Sequence, residues 1–204
     1  RRQVVGSSTT DAGRQLAFLW EPGGGMRSLG GLSAREDEAE ARDINDASQV
    51  VGVTWIGGLA NGTASQAFLW TLDRGMQDLG NLGSMTGGGL ACCAGAEAIN
   101  ERGDITGWSD NGAGVVQAFL WRPHRGMEAL GTLGGSFSLG RNLNGRRVVV
   151  GISSDAEDRR FLPVVWTERL GMHALPTAEL GADGGEAEGI TDRSSLWHSV
   201  TPAT

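Results

Sequence analysis

Charged residues recur at one position of this sequence and are the best placed to do chemistry. Arg42, Glu97, Arg141 and Glu188 each stand two residues before an Ile or Leu that Asn or Thr follows. Glycoside hydrolysis uses a pair of carboxylates, so Glu97 and Glu188, flanked by the two arginines, are candidate catalytic residues. The alternating signs also predict a ring of ion pairs, in which the arginines would keep both glutamates ionised. We favour this structural interpretation.

Four carboxylates in loop-like segments are candidate ligand-binding residues. Asp110, Asp155, Glu157 and Asp158 follow apolar runs, in stretches rich in Gly, Ser and Asp. Carboxylate oxygens suit Ca²⁺, which is the cofactor that such loops could hold. No loop has the spacing of an EF-hand, so a solvated surface is the alternative interpretation, and no metal ligand is assigned.

Two tryptophans, Trp55 and Trp108, are ligand-binding candidates of another kind. Each lies near the end of an apolar run and outside the repeated tryptophans described below. An exposed aromatic ring can stack on a sugar, whereas a buried ring packs against a neighbouring sheet. The sequence leaves both alternatives open.

Other catalytic machinery is sparse. The three histidines, at 124, 173 and 198, are not placed to serve a Ser or Cys nucleophile, and no HExxH, GxSxG or phosphate-binding loop motif occurs. Cys92 and Cys93 are adjacent. Free thiols, a vicinal disulfide and thiolate metal ligation are the alternatives there. These observations favour binding over catalysis.

A pattern that occurs four times must position all of these residues. It reads LAFLWEPGGGMRSLG at 16–30, QAFLWTLDRGMQDLG at 66–80, QAFLWRPHRGMEALG at 117–131 and, more loosely, LPVVWTERLGMHALP at 162–176. A second pattern lies between the copies, as in AEAINERGDITGWS at 96–109. The tryptophans at 20, 70, 121 and 166 recur in register, which predicts that they are core residues.

Each repeat contains four short apolar runs bounded by Gly, Asn or Asp, and these predict strands because they are too short for helices. The expected fold is all-β, a small β-propeller of four-stranded antiparallel blades. Residues 1–204 then form a single repeat domain, with blades at about 40–80, 95–131 and 139–176. Residues 186–191 and 3–30 together complete one further blade, and 192–204 is an extra strand or a tail.

Four blades are favoured because alternating Arg and Glu residues close into a ring only when the number of blades is even. Five blades, or a part of a larger ring, are the alternatives. Joining the N- and C-terminal segments in one blade would remove an exposed strand edge.

The predicted topology sorts the connections onto two faces. The turns EPGG, TLDR, RPHR and TERL have one length, and their face carries basic residues. The loops of the opposite face differ in length and are acidic. Binding residues concentrate on variable loops that a rigid scaffold holds, so the acidic face is the predicted ligand-binding face. The basic residues of the uniform face are Arg74, Arg122, Arg125, Arg146, Arg147, Arg169 and His124.

Composition narrows the classes of function. The chain has 204 residues, a net charge of −7 and a pI near 5.0. This balance argues against nucleic acid and anionic membranes as partners. No apolar run reaches the roughly 18 residues of a membrane span, and no signal peptide opens the chain. All 17 basic residues are Arg, which indicates a GC-rich bacterial genome.

The repeated QAFLW…GMQDLG, followed by AIN and ITG, resembles the HAF repeat of bacterial extracellular proteins. The resemblance covers nearly the whole chain, although Gln or Leu stands where the family often has His, and the fourth copy, PVVW, is degenerate. It implies a secreted or cell-surface protein and brings no catalytic residues.

We therefore expect an extracellular binding module whose acidic loop face contacts a glycan, a cation or a protein partner. The alternative is a glycan-active hydrolase or lyase with its site at the axial mouth of the propeller. The oligomeric state is not predicted.

Overall fold

Fifteen β-strands form in the parts of the chain that the computed structural model describes, which are residues 2–33, 37–56, 64–83, 93–177 and 183–192. The strands group into four consecutive units. Unit 1 contains β1 (Val4–Thr9), β2 (Gln15–Glu21) and β3 (Gly25–Ser28), and unit 2 contains β4 (Glu38–Ile44), β5 (Val50–Trp55), β6 (Ser65–Thr71) and β7 (Gly75–Asp78). Unit 3 contains β8 (Ala94–Ile99), β9 (Ile105–Asp110), β10 (Val116–Arg122) and β11 (Gly126–Ala129), and unit 4 contains β12 (Gly134–Leu143), β13 (Val149–Asp155), β14 (Phe161–Thr167) and β15 (Gly171–Ala174).

Within each unit the strands pair antiparallel in chain order, which confirms the all-β class. Units 3 and 4 are linked by a single parallel bridge between Val116 and Phe137. Among the described residues, no helix is long and apolar enough to cross a membrane.

The connections differ between the two faces of the sheets. Three-residue turns join the last two strands of every unit, at 22–24, 72–74, 123–125 and 168–170, and five-residue turns join the first two strands of units 2 to 4, at 45–49, 100–104 and 144–148. These turns make up what we call the turn face. The opposite ends of the strands carry the connections at 10–14, 111–115, 130–133 and 156–160, which we call the loop face.

Three asparagines, Asn45, Asn100 and Asn144, tie units 2, 3 and 4 to the segment that follows each of them. Each side-chain oxygen accepts a backbone N–H from its own five-residue turn. The amide nitrogens of Asn45 and Asn100 donate to the carbonyl oxygens of Asn100 and Asn144, both at 3.1 Å. Asn144 donates in the same way to the carbonyl of Thr191 at 3.3 Å. The repeated Asn therefore sets the turn and the spacing between units.

A β-bulge interrupts the first strand of units 2, 3 and 4 at the same place. The register shifts between Ala41 and Asp43, between Ala96 and Ala98, and between Gly140 and Asn142. The extra residues are therefore Arg42, Glu97 and Arg141. Because a bulge redirects the side chain that it carries, these three charges leave the ordinary alternation of the strand.

Separate apolar clusters lie between neighbouring units. Trp70 packs with Ala17 and Leu19 of unit 1, and Trp166 packs with Ala118 and Leu120 of unit 3. Trp121 packs in the same way against Val51, Ala67 and Leu69, so three of the four repeated tryptophans cover the unit that precedes their own. The prediction that all four are core residues is wrong for Trp20, which is 37% exposed, because no preceding unit lies against it among the described residues.

Unit 1 differs from the others because its sheet has three strands. Residues 184–191 form no strand, and in the described chain β1 pairs with β2 alone. Residues Ala187 and Ile190 pack instead against Val148, Val150 and Val165 of unit 4. The completion of this blade by 186–191 stays a prediction, as does the number of blades.

Candidate functional site

The three bulged charges come together in one cluster. Arg42 Nη1 contacts Glu97 Oε1, and Arg141 Nη1 lies 3.7 Å from Glu97 Oε2. Arg42 also lies 3.8 Å from Glu40 through its Nε. The side chain of Glu97 is 10% exposed. The alternation of sign in the sequence therefore corresponds to ion pairs between consecutive units.

The fourth predicted member of the cluster, Glu188, is not the residue that contacts Arg141. Arg141 Nε contacts Glu186 instead. Glu188 is exposed, although its charge helps to raise the pKa of Arg141, behind the larger effect of the hydrogen bond to Glu186. Glu188 stands at the same repeat position as Glu97, but the prediction that it would occupy the same place in the cluster is wrong. Residues 184–191 form no strand in the structure, and therefore no bulge that could direct Glu188 towards Arg141.

Burial raises the pKa of Glu97 above the ordinary value of a glutamate. Arg42 and Arg141 oppose this effect, as does a hydrogen bond from the side chain of Trp108, but burial is the largest cause. The two arginines do favour the ionised carboxylate, as expected, but the expectation left out the cost of removing the charge from water, which is the larger effect.

Trp108 belongs to this cluster rather than to the loop face. It lies within β9 and pairs with Gly95, and a Cβ at Gly95 would lie 2.8 Å from the indole nitrogen. Of the two alternatives for Trp108, the structure favours packing over a sugar platform, since its ring covers a glycine and its N–H points at a carboxylate. Trp55 does end its strand and is half-buried.

A raised pKa is a property that a general acid needs, but the geometry of Glu97 suits a structural role. Each carboxylate oxygen faces a guanidinium, and the indole N–H is a third partner. A general acid must deliver a proton to a substrate atom within hydrogen-bond reach. Glu97 is engaged on both sides by its own chain.

Replacing Glu97 with Gln should change how stability depends on pH. The folded protein binds the Glu97 proton more tightly than the unfolded chain does, because the folded pKa is raised. The stability that this proton contributes is complete below the ordinary pKa of Glu and is lost as the pH rises through that value towards the folded one. The free energy of unfolding of the wild type relative to Glu97→Gln should therefore fall between about pH 4 and about pH 7.

Urea denaturation of both proteins at the two pH values measures this difference. Glu101→Gln is the control, because it removes one charge from an exposed side chain. A difference between wild type and Glu97→Gln that stays constant or grows with pH would contradict the raised pKa.

The predicted carboxylates of the loop face are engaged by their own loops. Asp155 Oδ2 accepts from Arg160 Nε at 2.9 Å, and this hydrogen bond is the main reason that the pKa of Asp155 is lowered. Asp158 accepts from the Ser154 hydroxyl at 2.6 Å and from the Ser136 N–H at 2.7 Å, and the Ser154 bond is the main cause of its lowered pKa.

The remaining two loop carboxylates also have local partners. Glu157 lies 3.2 Å from Arg159, and Asp110 caps its own turn by accepting the N–H of Gly112 at 2.5 Å. No group of three or more His, Cys, Asp or Glu side chains able to hold a metal occurs in the described parts of the chain. The geometry of these residues thus gives a Ca²⁺ site little support.

The adjacent cysteines are described in part. Cys93 is a free thiol, half-buried, directly before the first strand of unit 3. Cys92 lies outside the described residues.

An aromatic pair on the loop face was missed in the sequence. Phe161, at the start of β14, is 47% exposed and packs edge-to-face on Phe137 with ring centroids 5.7 Å apart. A cavity of about 520 Å³ is lined by the loop that ends one residue before Phe161 in the chain. Its lining includes the predicted residues Asp155 and Glu157. The signal was the position of Phe161 directly after the loop SSDAEDRR.

Comparison with known proteins supports the fold. The crystal structure of TolB from Acinetobacter baumannii, whose C-terminal domain is a β-propeller, matches with a TM-score of 0.58 and 13% identity. The match covers 85% of this chain and 40% of that chain. The chain is therefore similar in fold to a propeller and spans less than half of the length of TolB. No family model matches the chain, and no curated protein does.

Proposed function

We propose that this chain is an extracellular binding module of a bacterium that holds a glycan on its loop face. The observation that supports this most directly is the contrast between the faces. The turn face repeats a three-residue turn in every unit and a five-residue turn in units 2 to 4, whereas the loop-face connections differ in sequence and in length, with four residues at 130–133 and nine between β5 and β6. Binding residues concentrate on such loops. The likeness of the repeat to the HAF repeat supports a location outside the cell.

The side chains beside Phe161 favour a glycan among the expected ligands. Sugars are bound by an aromatic surface together with polar groups that fix the orientation of the ligand. Phe137 holds the ring of Phe161 in place, and Asp155, Glu157 and Arg159 line a cavity formed by the loop that directly precedes Phe161 in the chain. A cation is disfavoured because the carboxylates are already paired. Trp55 stays a candidate contact at another position of the same face.

Replacement of Phe161 with Ala should weaken glycan binding about tenfold or more, since losing an aromatic stacking surface costs on the order of 1.5 kcal/mol. Isothermal titration against a panel of soluble neutral and acidic polysaccharides measures the affinity. Leu72→Ala is the matched control, because Leu72 is a large exposed side chain on the turn face, at 74% exposure. Equal affinity of Phe161→Ala and the wild type would reject Phe161 as the binding site. If the wild type bound no polysaccharide, glycan binding itself would be rejected, and a protein partner would become the favoured ligand.

A glycan-active hydrolase or lyase is the second candidate function, and the raised pKa of Glu97 is the observation that favours it. Glu97 and the flanking Arg42 and Arg141 would act on a chain that enters from the axis. Catalysis would be supported if the wild type released new reducing ends from the same polysaccharides and a folded Glu97→Gln variant did not. Binding without turnover supports the module.

A further inference from the structure

A cavity on the turn face is lined mainly by arginines. It lies between units 3 and 4, measures about 440 Å³ and has only two acidic residues in its lining, Asp104 and Glu168. Four guanidiniums face these two carboxylates, in a chain whose net charge is −7. The arginines are Arg102, Arg122, Arg125 and Arg147, with Pro123 between two of them.

Two of the four arginines are fixed in place by carboxylates. Arg147 Nε donates to Asp104 Oδ2 at 2.9 Å, and Asp104 is 1% exposed and also accepts from Asn100. Arg122 lies 3.3 Å from Glu168 and contacts Glu128 through its other terminal nitrogen. These contacts make a preorganised wall rather than a set of free side chains.

The donors of the cavity are not all satisfied. Arg122 Nε is buried and has no hydrogen-bond partner. A buried donor without an acceptor is costly, and Arg122 bears this cost in the wall of the cavity. Within the described chain, Arg102 and Arg125 form no ion pair through their side chains, although both line the same cavity.

We propose that this cavity binds a tetrahedral oxyanion, a phosphate or sulfate group that is either free or carried on a larger molecule. Several guanidiniums around one cavity can donate to three or four oxygens at once, which suits a tetrahedral anion, and arginine is the usual residue for such recognition. The fixed pair, Arg122 and Arg147, forms the wall of the site, and Arg102 and Arg125 close on the anion. The site lies on the face opposite the proposed glycan site and does not depend on it.

Thermal unfolding and isothermal titration with inorganic phosphate and sulfate test this proposal, with chloride added to match the ionic strength. A saturable rise in Tm is expected, because an anion that binds only the folded state stabilises it by mass action. A sugar phosphate and a sulfated polysaccharide separate the sources of the group. If either of these molecules binds more tightly than the inorganic anion, the ligand of the cavity is a phosphate or sulfate group carried on a larger molecule. If the affinities are equal, the ligand is the free anion.

The double variant Arg102→Ala/Arg125→Ala should weaken phosphate or sulfate binding about tenfold or more, because it removes two guanidiniums that would donate charge-assisted hydrogen bonds to the anion. Arg74→Ala/Arg169→Ala is the matched control, because it removes the same charge from two side chains of the same face that do not line this cavity. No saturable effect of either anion, or an equal loss in both double variants, would overturn the proposal. Neither result would affect glycan binding at Phe161.

Discussion

Gly107→Ala should unfold the protein or cost about 3 kcal/mol or more of stability. A Cβ at Gly107 would lie 2.0 Å from the carbonyl oxygen of Gly95, and 2.9 Å from the Cα of Ala96. Gly52 and Gly151 would bring a Cβ to 1.9 Å from the carbonyl oxygens of Glu40 and Leu139. Each of these glycines faces the bulge of the neighbouring first strand, where backbone rather than a movable side chain occupies the space. Forcing extra atoms into such a place costs about 1–3 kcal/mol even where side chains can move.

Gly6 supplies the control for this experiment. It stands in β1 where Gly107 stands in β9, two residues into the second strand of its repeat, but a Cβ there meets only the ring of Phe18 at 3.2 Å. Gly6→Ala should therefore cost less than about 1 kcal/mol, because only a side chain has to give. Urea unfolding curves of both variants measure the difference. A large loss in Gly6→Ala would mean that a bulged strand covers β1 in solution, which is what completion of this blade by 186–191 predicts.

The strands of this fold could be predicted from the sequence because each one is a short apolar run with Gly, Asn or Asp at its ends. The bulges could not, although they decide where the charges lie. A bulge adds one residue to one strand of a pair, and the sequence AEARDIN gives no sign of which residue is extra. The glycines at 52, 107 and 151 were the available sign, since each one recurs opposite a first strand.

The two tryptophan candidates show how register limits such predictions. Trp55 stands three residues after Gly52, whereas Trp108 stands one residue after Gly107. Counting from the glycines aligns Trp108 with Val53, which is buried, and not with Trp55. The pKa of Glu97 could not be predicted in the same way, because its direction depends on how much water the neighbouring units exclude.

Trp70→Ala should cost about 3–5 kcal/mol of stability, within the range for a large aromatic residue removed from a core. Trp70 is 6% exposed, packs on Ala17, Leu19 and Leu29, and lies under the guanidinium of Arg27 at 4.9 Å from the ring centroid. Its loss opens a cavity between units 1 and 2. Since the units meet through clusters of this kind, the effect should reach both sheets.

Trp20→Ala is the matched change one repeat earlier and should cost less than half as much. Trp20 is more exposed than Trp70, and its neighbour Val4 is 52% exposed although its counterpart Val50 is fully buried. The comparison separates the contribution of the residue type from that of the preceding unit, because both variants remove the same side chain from the same strand position. Thermal or urea unfolding of the two variants gives the ratio. Equal losses of stability in Trp20→Ala and Trp70→Ala would show that the exposed face of unit 1 is covered in solution. The cover would come either from another part of the same chain or from a second copy of the protein, and unfolding at several protein concentrations distinguishes the two. A dependence of Tm on protein concentration assigns it to a second copy, and no dependence assigns it to the same chain.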